Sequence, residues 1–125
     1  MHTHESSENY LETILVLLNR LGSVRSVDIV NELDFTRPSV SVAMKKLRES
    51  GHVKVDGDGH ITLTVSGMAT AKKMLERHTI LSGFLVGLGV DKETASQDAC
   101  RIEHVISQKS YEKILAFVSK TQGDV

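Results

Sequence analysis

The most informative string in the chain is Asp98-Ala99-Cys100-Arg101-Ile102-Glu103-His104. Cys100, Glu103 and His104 stand at i, i+3 and i+4, a spacing that projects all three from one face of a helix. A thiolate, a carboxylate and an imidazole converging there form a mixed S/O/N donor set for a divalent transition metal. Spacing alone leaves a plainer reading open, in which a small buried cysteine stands beside a solvated Glu-His pair. A Cys-His nucleophile pair fits less well, because no third residue orients the histidine and no oxyanion-stabilising segment accompanies it. His78 lies within an otherwise apolar stripe, so it points toward a helical interior and offers a ligand from a second helix. Near the N-terminus, Glu8, Asn9 and Glu12 cluster within one turn. First-turn acids ordinarily serve the helix dipole, but Glu12 stands between Leu11 and the apolar stripe and can lean inward.

These residues need helices to carry them, and the hydrophobic periodicity supplies six. Ser6 or Ser7 starts the first, with Tyr10, Ile14, Leu17 and Leu21 as one stripe and Gly22 as its end. Ser26 caps a short second helix holding Val27, Ile29, Val30 and Leu33. After the turn Asp34-Phe35-Thr36, Arg37-Pro38 opens a third helix that buries Val40, Ala43, Met44 and Leu47 and stops at Gly51. Next come His52-Val53-Lys54-Val55, the loop Asp56-Gly57-Asp58-Gly59, and His60-Ile61-Thr62-Leu63-Thr64, a hairpin pattern. Two short helices around a tight turn and then a hairpin read as a winged helix-turn-helix. Ser66 caps a fourth helix, Gly67 to Leu88, with Ala71, Leu75, His78, Leu81 and Leu85 inside. Asp91 starts a fifth, bearing Ala95, Ala99, Ile102 and Ile106, and Ser110 starts a sixth with Tyr111, Ile114, Leu115 and Val118. The tail from Gln122 to Val125 is expected to fray.

The predicted fold class is therefore mainly α with a small β-hairpin. A winged-helix DNA-binding domain spans residues 1–65, and a helical metal-binding and dimerisation domain spans 66–125. The apolar surplus of the second part predicts a face buried in a partner subunit, and hence a homodimer.

Composition bounds the function classes. A chain of 125 residues and 13.8 kDa can bury about 65–70% of its unfolded surface, so it needs no staples. With 40% hydrophobic and 25% charged residues it is not disordered. No apolar run reaches the ~20 residues that cross a bilayer, and no signal peptide is visible. The single cysteine cannot form an internal disulfide, which predicts a cytoplasmic address. Three Phe, two Tyr and no Trp disfavour stacking on single-stranded bases. Net charge is −1, yet Phe35 to Lys54 holds five basic residues (Arg37, Lys45, Lys46, Arg48, Lys54) against Glu49 alone, the pattern of a DNA-binding element within a neutral chain.

Ser7-Glu8-Asn9-Tyr10-Leu11-Glu12, Arg77-His78 and Asp98 to Ser107 resemble the diphtheria toxin repressor family of iron- or manganese-dependent transcriptional repressors. The resemblance covers essentially the whole chain, and the C-x-x-E-H string is specific in that context. It implies a metal site joining the DNA-binding half to the dimerisation half. Cys100, Glu103 and His104 match its fifth-helix ligands, His78 its fourth-helix ligand, and Glu12 the first-helix carboxylate of the manganese branch. Asn9 falls where the iron branch has Met and the manganese branch Asp. Ser82 and Ser96 replace a Glu and a His of the iron branch's ancillary site, so that site is expected to be missing in that form. The two-domain build, expected to lack a third C-terminal domain, is like the manganese branch, whereas Cys100 is like the iron branch. Thiolate softens the site, so Fe(II) is favoured with Mn(II) as the alternative.

For DNA, Arg37, Lys45 and Lys46, with Arg48, are candidates for phosphate contacts. Pro38, Ser39, Ser41 and Val42 occupy the turns that would enter the major groove, where Ser serves several bases and Val42 can touch a thymine methyl. His60, His2 and His4 read as bystanders. The expected function is a non-enzymatic, metal-dependent repressor that binds a palindromic operator in double-stranded DNA as a homodimer and controls metal-uptake genes. Neither a membrane nor an organic substrate is expected as a partner. Two rivals remain: a winged-helix regulator answering another ligand or redox state without a metal switch, and a small metalloenzyme. The second lacks an identifiable cleft and general base.

Overall fold

The structure is a computed structural model that describes residues 6–123. The His2 and His4 pair and the last two residues of the tail lie outside that range. Among the described residues the order is α1 (Ser7–Leu21), α2 (Ser26–Leu33), α3 (Arg37–Glu49), β1 (Val53–Val55), β2 (Ile61–Leu63), α4 (Val65–Gly87), α5 (Lys92–Val105) and α6 (Gln108–Gly123). The chain divides into two compact units, one reaching to Lys73 and the other starting at Met74, so α4 begins in the first and ends in the second. No helix among the described residues is long and apolar enough to cross a membrane.

In the first unit, the ends of the elements follow from local hydrogen bonding. Ser6 Oγ accepts the Asn9 N–H at 3.1 Å and starts α1; Gly22, at φ 85°, ends it in the left-handed region that glycine enters without a Cβ clash. Thr36 Oγ1 accepts the Ser39 N–H at 3.2 Å, and Pro38 sits in the first turn of α3, where no N–H is needed. The strands pair antiparallel with Val53 opposite Leu63 and Val55 opposite Ile61. Asp56 closes their turn by accepting the N–H groups of Asp58 and His60, both at 2.9 Å. The bond from the His60 backbone is the main cause holding the Asp56 carboxyl below its ordinary value. A bond of 2.7 Å from the Ile61 N–H to the Val24 carbonyl ties β2 to the segment between α1 and α2. Tyr10, Ile14, Leu17, Ile29, Val40, Met44, Leu47, Val53 and Ile61 form the buried core.

In the second unit, Met74, Leu81, Ala95, Ala99, Tyr111 and Val118 are buried. Phe84 of α4 and Phe117 of α6 meet edge to face at 6.0 Å between centroids.

Four sequence expectations need correction. Arg25, not Ser26, is the residue before α2, because Asp28 Oδ2 reaches back to the Arg25 N–H at 2.8 Å and fixes the start there. Thr64, not Ser66, caps α4: its Oγ1 accepts the Gly67 N–H at 3.2 Å, and Ser66 Oγ turns to the Gly51 carbonyl instead. Ser107, not Ser110, serves the start of α6, accepting the Ser110 N–H at 3.1 Å. Leu21, placed in the buried stripe of α1, is 52% exposed in the last turn.

Candidate metal centre

The second unit assembles the donors. On α5, Cys100, Glu103 and His104 share one face, and α4 delivers His78 toward them. Ligand atoms of His78, Cys100 and Glu103 all lie within 4.8 Å of one another. The Glu103 side chain has no exposure. One of its oxygens stands 3.1 Å from His78 Nδ1 and the other 3.3 Å from His104 Nε2. A carboxylate removed from water is costly unless positive charge accompanies it. His78, Cys100 and Glu103 together would suit a divalent transition metal, and His104 meets the other oxygen of the Glu103 carboxylate. Such an ion would supply the positive charge that this donor set converges on.

Burial, followed by the charge of Glu103, pushes the Cys100 thiol up to about 11. It is protonated at neutral pH, and ligation requires the thiolate, so metal uptake displaces that proton. Metal affinity is accordingly expected to rise with pH, and Cys100→Ala to release about one proton fewer per metal bound. Calorimetry in buffers of different ionisation enthalpy measures the proton count; an unchanged count in the variant would place Cys100 outside the ligand set.

His78 is oriented from its far side. Its Nε2 lies 3.3 Å from Ser96 Oγ on α5, which leaves Nδ1 facing Glu103. Metal-bound histidines are commonly held this way through the second ring nitrogen. Ser96→Ala is expected to lower metal affinity by roughly tenfold, the mild end of such effects, because Ser96 is exposed and water can partly replace it. Competition against a fluorescent chelator checks this, and wild-type affinity in the variant would contradict it.

In the first unit, Asn9 and Glu12 lie three residues apart on α1 and are both buried. Asp56, Asp58 and His60 also gather ligand atoms within 4.8 Å, but in the exposed hairpin turn, where Asp56 is occupied by the turn's own N–H groups. On α3, the buried face is Val40, Met44 and Leu47, and the opposite face exposes Arg37, Pro38, Ser41, Val42, Lys45 and Lys46 to solvent, with Ser39 half-buried. Val42 is 54% exposed, an apolar group among cations and hydroxyls.

Comparison with known proteins covers both units. Residues 2–61 match the N-terminal DNA-binding domain of the iron-dependent repressors, and residues 64–124 match their metal-binding and dimerisation domain. The chain belongs to the iron-dependent repressor family. It is a metal-dependent transcriptional repressor of that family and not an enzyme. An HTH-type transcriptional regulator of Methanocaldococcus jannaschii is 33% identical over 123 residues, covering 97% of this chain and 98% of the relative. The transcriptional regulator MntR of Salmonella typhimurium is 34% identical over 119 residues, covering 95% of this chain and 76% of MntR. Among solved structures, a manganese-dependent transcriptional repressor in complex with manganese is similar with a TM-score of 0.84 at 28% identity, covering 91% of this chain and 53% of that one. The manganese regulator SloR gives 0.83 at 25% identity, with 93% and 54% covered. The chain thus spans about half the length of these two structures.

Two residues that hydrogen-bond the candidate ligands, Ser96 to His78 and Arg77 to the Glu103 carbonyl, had no signal in the sequence. Ser96 was noted only as a departure from one branch's pattern, and Arg77 only as part of a matching string. Both act across helices, 18 and 26 or more residues away, where local periodicity carries no signal.

Proposed function

We propose that the chain is a metal-activated repressor that, loaded with Fe(II) or Mn(II), binds a palindromic operator as a homodimer in the cytoplasm and controls metal-uptake genes. The observation that carries this reading is the gathering of His78, Cys100 and Glu103, with His104 beside them, inside the part of the chain that matches the metal-binding domain. Those four residues are the proposed core ligands. Glu12 and Asn9 are added on the sequence resemblance, Asn9 as the weaker donor. The thiol of Cys100 supports Fe(II), since sulfur donors suit it better than Mn(II), which prefers oxygen. The manganese-dependent relatives support Mn(II) as the second reading.

Arg37, Lys45 and Lys46 are the proposed phosphate contacts, and Pro38, Ser39, Ser41 and Val42 the residues facing the major groove. In the second unit, exposed Leu88 and Phe117 lie beside Phe84 and Val118 along an apolar groove, a surface that a second copy would cover. A twofold dimer places two copies of α3 on two half-sites, which makes the operator palindromic. Metal switches the protein only to the extent that it binds the DNA-competent arrangement more tightly than the other.

The test is an anaerobic selection of genomic fragments by the purified protein with Fe(II), with Mn(II) and with chelator. Enrichment of one palindrome only with metal is expected, and the stronger metal names the branch. Equal enrichment in chelator would leave a winged-helix regulator without a metal switch.

A further inference from the structure

We propose that Arg77 is a positioning residue for the metal ligands, acting through the backbone of α5; the inference rests on the metal-activated reading above. Arg77 precedes His78 on α4 and is only 5% exposed. A guanidinium is costly to bury unless its donors are used. Nη1 donates to the Glu103 carbonyl at 3.0 Å and to the Ile106 carbonyl at 3.2 Å, and Nη2 donates to Gln108 Oε1 at 2.7 Å. The guanidinium carbon lies 5.1 Å from the centroid of the Tyr111 ring, whose hydroxyl donates to Glu76 Oε1 at 3.1 Å. Arg77 is thus held by α6 while it holds the end of α5.

The carbonyls it takes are informative. The last carbonyls of a helix have no partner within the helix and carry the negative end of its dipole, so a cation there is doubly suited. Glu103 lies in that last turn. Its carboxylate is the group that stands between His78 and His104. Consecutive residues of α4 therefore grip Glu103 at two points, Arg77 by the backbone and His78 by the side chain. With the carbonyl fixed, the Cα–Cβ direction of Glu103 is fixed too, and so is its distance to the other donors. Lysine keeps the charge but cannot fork across two carbonyls and an amide while standing over a ring.

Cobalt(II) is the probe, because its thiolate charge-transfer and d–d bands report ligand geometry separately from stability. Wild type, Arg77→Lys and Gln108→Ala are titrated anaerobically, and the metal-free proteins are melted in parallel. Wild type is expected to show the thiolate band. Arg77→Lys is expected to bind Co(II) about 10- to 100-fold more weakly, with altered d–d bands, and Gln108→Ala to shift both in the same direction by less. A role confined to stability would lower the melting temperature and leave the spectrum of bound Co(II) as in wild type. Wild-type affinity and spectrum in both variants would overturn the inference. Should Arg77→Lys fail to fold, Gln108→Ala decides, since Gln108 is exposed. A wild-type protein with no thiolate band would instead overturn the metal reading, and this inference with it.

Discussion

Glu103→Gln is expected to abolish metal-dependent DNA binding while leaving the metal-free protein folded. Glutamine matches glutamate in shape, so the space between His78 and His104 stays filled. The charge is lost, however, and an NH2 group now faces imidazole nitrogens that were 3.1 and 3.3 Å from carboxylate oxygens. A neutral amide is a poor ligand for a divalent cation, and the group replaced is the one both histidines share. We expect metal affinity to fall by about 100-fold or more, the loss that removing a charged ligand brings to a site whose binding depends on deprotonated donors. Holding a carboxylate out of water is costly in the metal-free protein, and a neutral isostere of the same shape lifts that cost, so the metal-free melting temperature should hold or rise. His104→Ala should share the functional loss. Metal titrations followed by the anisotropy of a labelled operator fragment measure it; a retained metal response in both variants would remove the proposed site.

Gly67→Ala is expected to destabilise the first unit by about 3 kcal/mol, at the upper end of what forced overpacking costs. A Cβ at Gly67 would lie 2.0 Å from the His52 carbonyl oxygen and 3.0 Å from its carbon. Both atoms are backbone, so no side-chain rotation relieves the clash. The same carbonyl accepts the Thr64 N–H at 3.1 Å, so moving it disturbs the cap of α4 and the chain entering β1. Alanine favours helix over glycine by up to about 1 kcal/mol, which offsets only part of the cost. For a domain of this size the net loss corresponds to a fall in melting temperature of roughly 10–20 °C. Thermal unfolding followed by circular dichroism checks it, and an unchanged melting temperature would contradict the close approach.

The features legible in the sequence were those in which a residue acts on its own helix turn or strand. Ser6, Thr36 and Asp91 stand just before apolar-periodic runs, and Pro38 and Gly22 mark a start and an end, so α1, α3 and α5 fall where expected. The i, i+3, i+4 spacing of Cys100, Glu103 and His104 put them on one helix face for the same reason. Misplaced starts arose where several capping side chains compete. Thr64 and Ser66 both stand at the start of α4 and both donate to the Gly51 carbonyl, but Thr64 is the one that accepts the Gly67 N–H; Ser107 and Ser110 likewise both suit the start of α6. Leu21 matched the stripe, but the last turn of α1 runs past its partners into solvent. The grip of Arg77 on Glu103 and the clasp of Ser96 on His78 join helices that only the fold brings together. Gly67 was legible as a glycine in a first helical turn, but nothing local announced the carbonyl packed against it.

Reciprocal linkage gives the most direct test of a metal switch. If metal favours the DNA-bound form by some factor, the operator must tighten metal binding by the same factor. Metal affinity should therefore be measured by chelator competition with and without a saturating operator fragment. The expected result is tighter metal binding with operator, by the factor through which metal strengthens DNA binding. Equal metal affinity in the two states would mean that the metal, even if bound at His78, Cys100, Glu103 and His104, does not control DNA binding.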